Sequence, residues 1–305
     1  MNPILSCHSR CHGTAGRSLR QGTSKLFMNP SIPPISDPSS ASKGSTAPEL
    51  ASRVALWRWW VATFIIGVCP ALVSLLNGGR RADEKASAFP KTMPELLIFT
   101  LWEFGLFGIV WGVAWLFARA SKDALFLRFK DGWLAPLWGV AYSIAMRLGI
   151  TIFMVFVFVF LSLLGFDVMK ISKTAEENSQ VVQQMFAPMI ENASPVFQGV
   201  MIFTVSFVVA GLREELWRVF TMAGLLRITP QRWNILDREV LALVLSSCLF
   251  GLGHIYQGIS GVVLTTFLGV ILGCITLHHK SIWPAVVAHG CFNAVSFISL
   301  AMLKK

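Results

Sequence analysis

Seven long apolar stretches dominate this chain, and no other feature limits its fold as much. They run Trp59–Leu76, Leu96–Ala118, Pro136–Leu164, Val196–Leu226, Val240–Tyr256, Ile259–Leu277 and Ile282–Leu303, separated by short polar links. Crossing a bilayer takes about 20 apolar residues at roughly 1.5 Å rise each, and most of the runs have that length. Only 14% of the 305 residues are charged, against about 25% in a soluble domain, which excludes an ordinary cytosolic enzyme. The net charge of +10 sits between apolar runs. There it sets orientation and meets anionic lipid, so lipid and not nucleic acid is the expected partner. The expected fold is all-α, a polytopic transmembrane helical bundle of seven spans, with eight as the alternative because the third and fourth runs are long.

The organisation divides at about residue 53. Residues 1–53 are rich in Ser, Pro and Gly with no apolar period, and are expected to form a disordered tail. Met28-Asn29-Pro30 repeats the Met1-Asn2-Pro3 start, so either methionine can be the true beginning. Residues 54–305 form the membrane domain. Cys7 and Cys11 have faint metal-ligand spacing but no second half-site, and the other four cysteines lie inside apolar runs as small hydrophobes. The basic links favour an N-terminus in the cytoplasm. One side receives Arg53, Arg119, Lys122, Arg128, Lys130, Arg227, Arg232, Arg238 and Lys280. The other receives Arg80, Arg81, Lys85, Lys91, Lys170, Lys173, Lys304 and Lys305. A bacterial plasma membrane is the expected location and a eukaryotic endomembrane the alternative.

Two features inside the runs read as structural. Gly108-x-x-x-Gly112 and Gly269-x-x-x-Gly273 permit close helix approach within the bundle. Glu103 and Arg147 are ionisable residues at matching depths on oppositely directed spans, and are expected to pair with each other.

Chemistry concentrates in residues 213–293. Three polar clusters interrupt three apolar runs: Arg213-Glu214-Glu215-Leu216-Trp217-Arg218, Phe250-Gly251-Leu252-Gly253-His254 and His289-Gly290-Cys291-Phe292-Asn293. Burying carboxylates, imidazoles and an amide near lipid costs several kcal/mol unless they satisfy one another or a wet cavity. They are therefore expected to converge on one site. Glu214 with Arg218, and His289 with Asn293, are four residues apart and share a helix face. Arg218 can hold either Glu214 or Glu215 ionised, as a general base for water must be. His254 and His289 can position that water or ligate a divalent metal such as Zn²⁺. Asn293 can donate its amide to an oxyanion. His278 and His279, beside Lys280 in a link, are expected to be solvated.

These clusters resemble the three signatures of the CPBP family of intramembrane proteases, also called the CAAX-protease or Abi family: Glu-Glu-x-x-x-Arg, Phe-x-x-x-His and His-x-x-x-Asn. Phe250 with His254, and His289 with Asn293, match at every defining position, and the likeness extends over about 196–300. The first motif departs by one residue, since Arg218 follows Glu215 by three instead of four. Either Glu214-Glu215 is the family pair with the arginine displaced, or Glu214 is the second glutamate and Arg213 replaces the first. The first register is preferred, because a flexible arginine absorbs an offset that an enzyme lacking its base cannot.

The resemblance implies a membrane endopeptidase in which Glu214 or Glu215 activates water. His254 and His289 would bind the water or a metal, with a metal-free glutamate mechanism also open, and Asn293 would stabilise the oxyanion. It implies a peptide or a prenylated protein C-terminus as substrate. The alternative is a non-catalytic scaffold or bacteriocin-immunity protein of the same fold. Oligomeric state is not readable. By depth, His254 lies further across than Glu214 and His289, so either the helix that carries it begins outside the bilayer or the Gln257-Gly258 turn dips inward.

Overall fold

The computed structural model describes residues 56–77, 90–177, 180, 194–230 and 232–303. The tail at 1–53, Cys7, Cys11, both candidate starts and Arg80, Arg81, Lys85, Lys304 and Lys305 lie outside these residues. Among the described residues there is no strand.

The seven apolar runs become seven helices. These are α1 (Leu56–Leu76), α2 (Met93–Ala118), α3 (Leu134–Leu163), α4 (Pro195–Ile228), α5 (Ile235–Leu252), α6 (Gly258–His279) and α7 (Trp283–Leu303). A further helical stretch covers 168–177. Local chemistry sets the starts. Thr92, Ser194 and Asn234 each accept a hydrogen bond from the backbone N–H three residues on, and prolines stand in the first turns of α2 and α4.

Five helices are long and apolar enough to cross a membrane: α1, α2, α3, α4, and α6 together with the turn that leads into it. The expectation of seven or eight spans is thus met in part. Helix α5 begins five residues before its apolar run, on Asp237-Arg238-Glu239, and those charges take it out of the set. Helix α7, which carries His289 and Asn293, is also outside the set.

Burial separates the centre from the rim. In the most apolar window of α2 and of α3 only 6% of residues are buried, against 39% for α4, so α4 is central while α2 and α3 present apolar side chains outward. A helix apolar all round is what lipid as solvent requires. Residues on the second half of α4 enter two cores. Phe220 and Ala223 pack with Trp59, Ile66 and Ala114 of α1 and α2. Val219 and Met222 pack with Ala242 and Leu243 of α5 and Val286 of α7. Met146, Leu272 and Ala288 join α3, α6 and α7 in a third core.

The two Gly-x-x-x-Gly stripes part company. Gly269 lies against the Ser247 backbone of α5, and a side chain at Gly273 would meet Leu243 and the Arg218 guanidinium, so this stripe does let helices close up. At Gly108 and Gly112 an added Cβ would meet nothing within 4 Å. That stripe packs on no described helix, which corrects the expectation.

Helix α4 changes hand-width at its middle. Thr204–Glu214 is π-helical and Glu215 resumes the α form. Within the π segment, a Cβ on Gly211 would stand 2.9 Å from the Val286 carbonyl of α7, and a backbone oxygen cannot swing aside. Gly211→Ala is therefore expected to destabilise the protein by about 1–3 kcal/mol, read as a lower unfolding temperature in detergent. Unchanged unfolding would mean that Gly211 does not set the α4–α7 spacing.

Candidate active site

The π segment ends on Glu214, three residues after the Gly211 contact with α7. Such segments are rare and recur at functional sites. Here the two glutamates that follow from the widened turn have different surroundings. Glu215 is fully buried, with its side chain paired to that of Arg218, which is equally sealed. The Arg218 guanidinium also donates to Thr276 of α6 at 3.3 Å. Glu215 presents its other oxygen to His289 Nδ1 at 3.2 Å. Glu214 keeps 14% of its side chain exposed and lines a cavity of about 250 Å³ with Phe107, Trp217, His254 and Tyr256.

The histidines close the site from two other helices. His254 follows the end of α5 and stacks edge-on against the buried Phe250 ring, centroids 4.8 Å apart. Its Nδ1 lies 2.9 Å from the Phe250 carbonyl. A carbonyl only accepts, so Nδ1 carries the proton and Nε2 is directed at Glu214, 3.8 Å from Oε2. His289 is held the same way. Its Nδ1–H donates to the Glu215 carboxylate, and its Nε2 stands 3.9 Å from the same Glu214 oxygen. Second partners of this kind fix tautomer and ring orientation. Both separations exceed a hydrogen bond and suit one bridging water.

Both glutamates of the first motif stand near His289. Adjacent helical residues point about 100° apart, yet both glutamates reach His289, because an imidazole offers a nitrogen on each side. Arg218, one residue early, still reaches Glu215. Between α5 and α6 the chain turns at Gln257-Gly258. A 3-10 turn at Ile255–Gln257 and a Gly258 φ of 79° reverse the chain there, a conformation glycine adopts without strain. Asn293 lies one turn beyond His289 and is partly buried.

Glu103 and Arg147 do not pair with each other, contrary to expectation. Arg147 sits over the Phe292 ring, 4.6 Å from its centroid. It donates to the Phe292 carbonyl and to Ser296, tying α3 to the α7 turn that carries Asn293. Glu103 instead pairs with Arg213, whose guanidinium is also 3.7 Å from Glu214. Azimuth around the helix was not legible in the sequence. Arg213 thus stands between Glu103 and Glu214. Glu103→Gln is expected to free Arg213 to draw Glu214 off the histidines, lowering kcat of a reaction that uses this site about 10- to 100-fold with little change in KM. Glu103→Asp should keep most of the rate. Equal rates for all three proteins would reduce the pair to a tether between helices.

The expectation for His279 also needs correction. It is not solvated: Asp131 lies 3.0 Å from its Nδ1 and the Tyr142 hydroxyl 3.0 Å from its Nε2. His278 is exposed.

Two imidazoles and a carboxylate have the donor chemistry of a catalytic zinc site. However, no group of three His, Cys, Asp or Glu among the described residues is arranged to hold a metal ion. Glu214 stands 3.8 and 3.9 Å from the two histidines, and the bond from His289 Nδ1 to Glu215 leaves its Nε2 free. Glu214, His254 and His289 are the residues that would hold a metal, which would act as a Lewis acid there; the chemistry below is derived from side chains alone.

A helical membrane protein with a glutamate facing two oriented histidines beneath a small cavity defines the class. Residues 195–295 match the family described as Type II CAAX prenyl endopeptidase Rce1-like, so this segment is similar to that family. The matched segment holds all three polar clusters. No curated protein and no solved structure matches the chain.

Proposed function

We propose that the protein is an intramembrane endopeptidase that hydrolyses a peptide bond near the membrane surface with water activated by Glu214. The observation that carries this reading is the placement of one partly exposed carboxylate opposite two histidines whose outer nitrogens are already engaged. The Rce1-like segment supports a CAAX-type membrane protease in general terms.

In the proposed reaction a water donates one proton to Glu214 Oε2 and the other to the free Nε2 of one of the two histidines. Glu214 takes its proton while the oxygen attacks the scissile carbonyl carbon. The oxyanion that forms lies toward Asn293, whose amide can donate to it. Collapse breaks the C–N bond, and the proton held by Glu214 passes to the leaving amine, so acid and base are one residue at successive steps. Glu215 and Arg218 do not touch substrate in this scheme. They hold His289 in its tautomer. The cavity walls, including Ile66, Pro70, Phe107 and Trp217, suit an apolar part of the substrate. A prenylated Cys-a-a-X terminus or a short apolar peptide meets that description.

The test is cleavage of a peptide pool including farnesylated Cys-a-a-X by the purified protein in nanodiscs, read by mass spectrometry. Products that disappear in Glu214→Gln and His254→Ala support the reading. Products that persist in both variants sink it. Absence of products, with the biological phenotype retained in both variants, would favour the scaffold or immunity alternative.

A further inference from the structure

A second cavity, of about 420 Å³, lies at the end of the bundle where α1 begins and α2 and α4 end. Arg58, Trp59, Ala118, Arg119, Ser121 and Arg227 line it. Arg58 stands in the first turn of α1, Arg119 follows the last residue of α2 in a left-handed conformation, and Arg227 occupies the last turn of α4. Three arginines at the ends of three helices thus line one space, and no acidic residue among the described residues lines it.

None of the three arginines forms an ion pair or donates a hydrogen bond among the described residues. Three neighbouring cations do have partners: Arg128 pairs with Asp123 and Lys280 with Glu239, while Arg238 donates to the Leu226 carbonyl. The helix dipole accounts for Arg119 and Arg227, since a cation is favourable at a helix C-terminus. It does not account for Arg58, which opens a helix and stands at the positive end. Like charges gathered round a cavity without a counter-charge repel, and an anion placed among them relieves all three together.

The surroundings indicate which anion. Trp57 packs edge-on against Phe117 beside the cavity, and Trp57, Trp60 and Trp115 are exposed. Tryptophans at helix ends mark the headgroup level of a bilayer. The floor of Trp59 and Ala118 is apolar, as the glycerol end of a lipid needs, and the outer face of α2 continues from it as exposed apolar surface. We propose that this cavity binds a phosphate group, carried by an anionic phospholipid of the leaflet that meets this end of the bundle. The site is separate from Glu214 and the histidines, and does not depend on proteolysis.

The test uses the full chain in detergent, stripped of lipid and titrated in turn with phosphatidylglycerol, phosphatidylcholine and inorganic phosphate. Bound lipid is counted by native mass spectrometry and the unfolding temperature is followed in parallel. Phosphatidylglycerol should bind and raise that temperature, and phosphatidylcholine should not. Substituting Arg58, Arg119 and Arg227 together by Gln should weaken phosphatidylglycerol roughly a hundredfold, and Arg58→Gln or Arg227→Gln alone about fivefold. Arg128→Gln, at an exposed pair outside the cavity, should leave binding intact. Equal binding of the two lipids, undiminished affinity in the triple and single variants, or an equal loss in Arg128→Gln would overturn the site. Inorganic phosphate reproducing the shift at the same concentration would overturn the lipid assignment.

Discussion

Glu214→Gln is expected to lower peptide cleavage about 1,000-fold while leaving the protein folded, within the 10²- to 10⁴-fold range of a positioned general base. Gln has the shape of Glu but cannot take a proton from water, so the variant isolates that single function. The side chain is partly exposed to the cavity, and its neighbour Arg213 retains Glu103 as partner. No buried charge is therefore stranded, and the unfolding temperature in detergent should move little. His254→Ala should lose a comparable part of the rate, because the water would keep its base and lose its second anchor. A Glu214→Gln protein that still cleaved at a tenth of the normal rate would remove Glu214 from the role of base.

Glu215→Gln is expected to do the opposite kind of damage. Glu215 and Arg218 have no exposed side-chain surface, and removing one member of a buried pair typically costs about 3–5 kcal/mol because the other charge is stranded. The variant should unfold at a markedly lower temperature and yield less folded protein. Replacing the pair together, as Glu215→Leu with Arg218→Met, should recover much of that loss, since a well-packed apolar pair can equal a buried ion pair. It should not recover cleavage, because His289 Nδ1 would have lost its partner. Stability restored without activity would separate holding the fold from setting the histidine. Stability and activity restored together would show that Glu215 does not orient His289.

Much of this molecule was written in its one-dimensional pattern. Long apolar runs can be satisfied in lipid only by helices, since no water is present to take the backbone hydrogen bonds, so seven runs gave seven helices with starts marked by Thr92, Ser194 and Asn234. The same logic made Glu214, Glu215, His254, His289 and Asn293 conspicuous. Polar groups in apolar runs are costly alone, and cost declares them. The span count was met in part. Five helices qualify, and α5 falls outside because Asp237, Arg238 and Glu239 stand in its first turns.

Azimuth and partner choice belonged to the tertiary structure. Sequence depth put Glu103 opposite Arg147, whereas packing turned Glu103 to Arg213 and Arg147 to Phe292. Spacing alone made the two glutamates alternatives. The π segment before Glu214 and the two-sided ring of His289 gave them separate positions, one open to a cavity and one sealed. His279 next to a lysine read as solvated until the fold set Asp131 and Tyr142 against it. The gathering of Arg58, Arg119 and Arg227 at one cavity was invisible along the chain, where they are separated by 61 and 108 positions. The physical reason is common to all of these. Hydrophobicity is a property of each residue and can be summed along a sequence, while an electrostatic or hydrogen-bonded partner is a property of distance and direction, which exist only once the helices have packed.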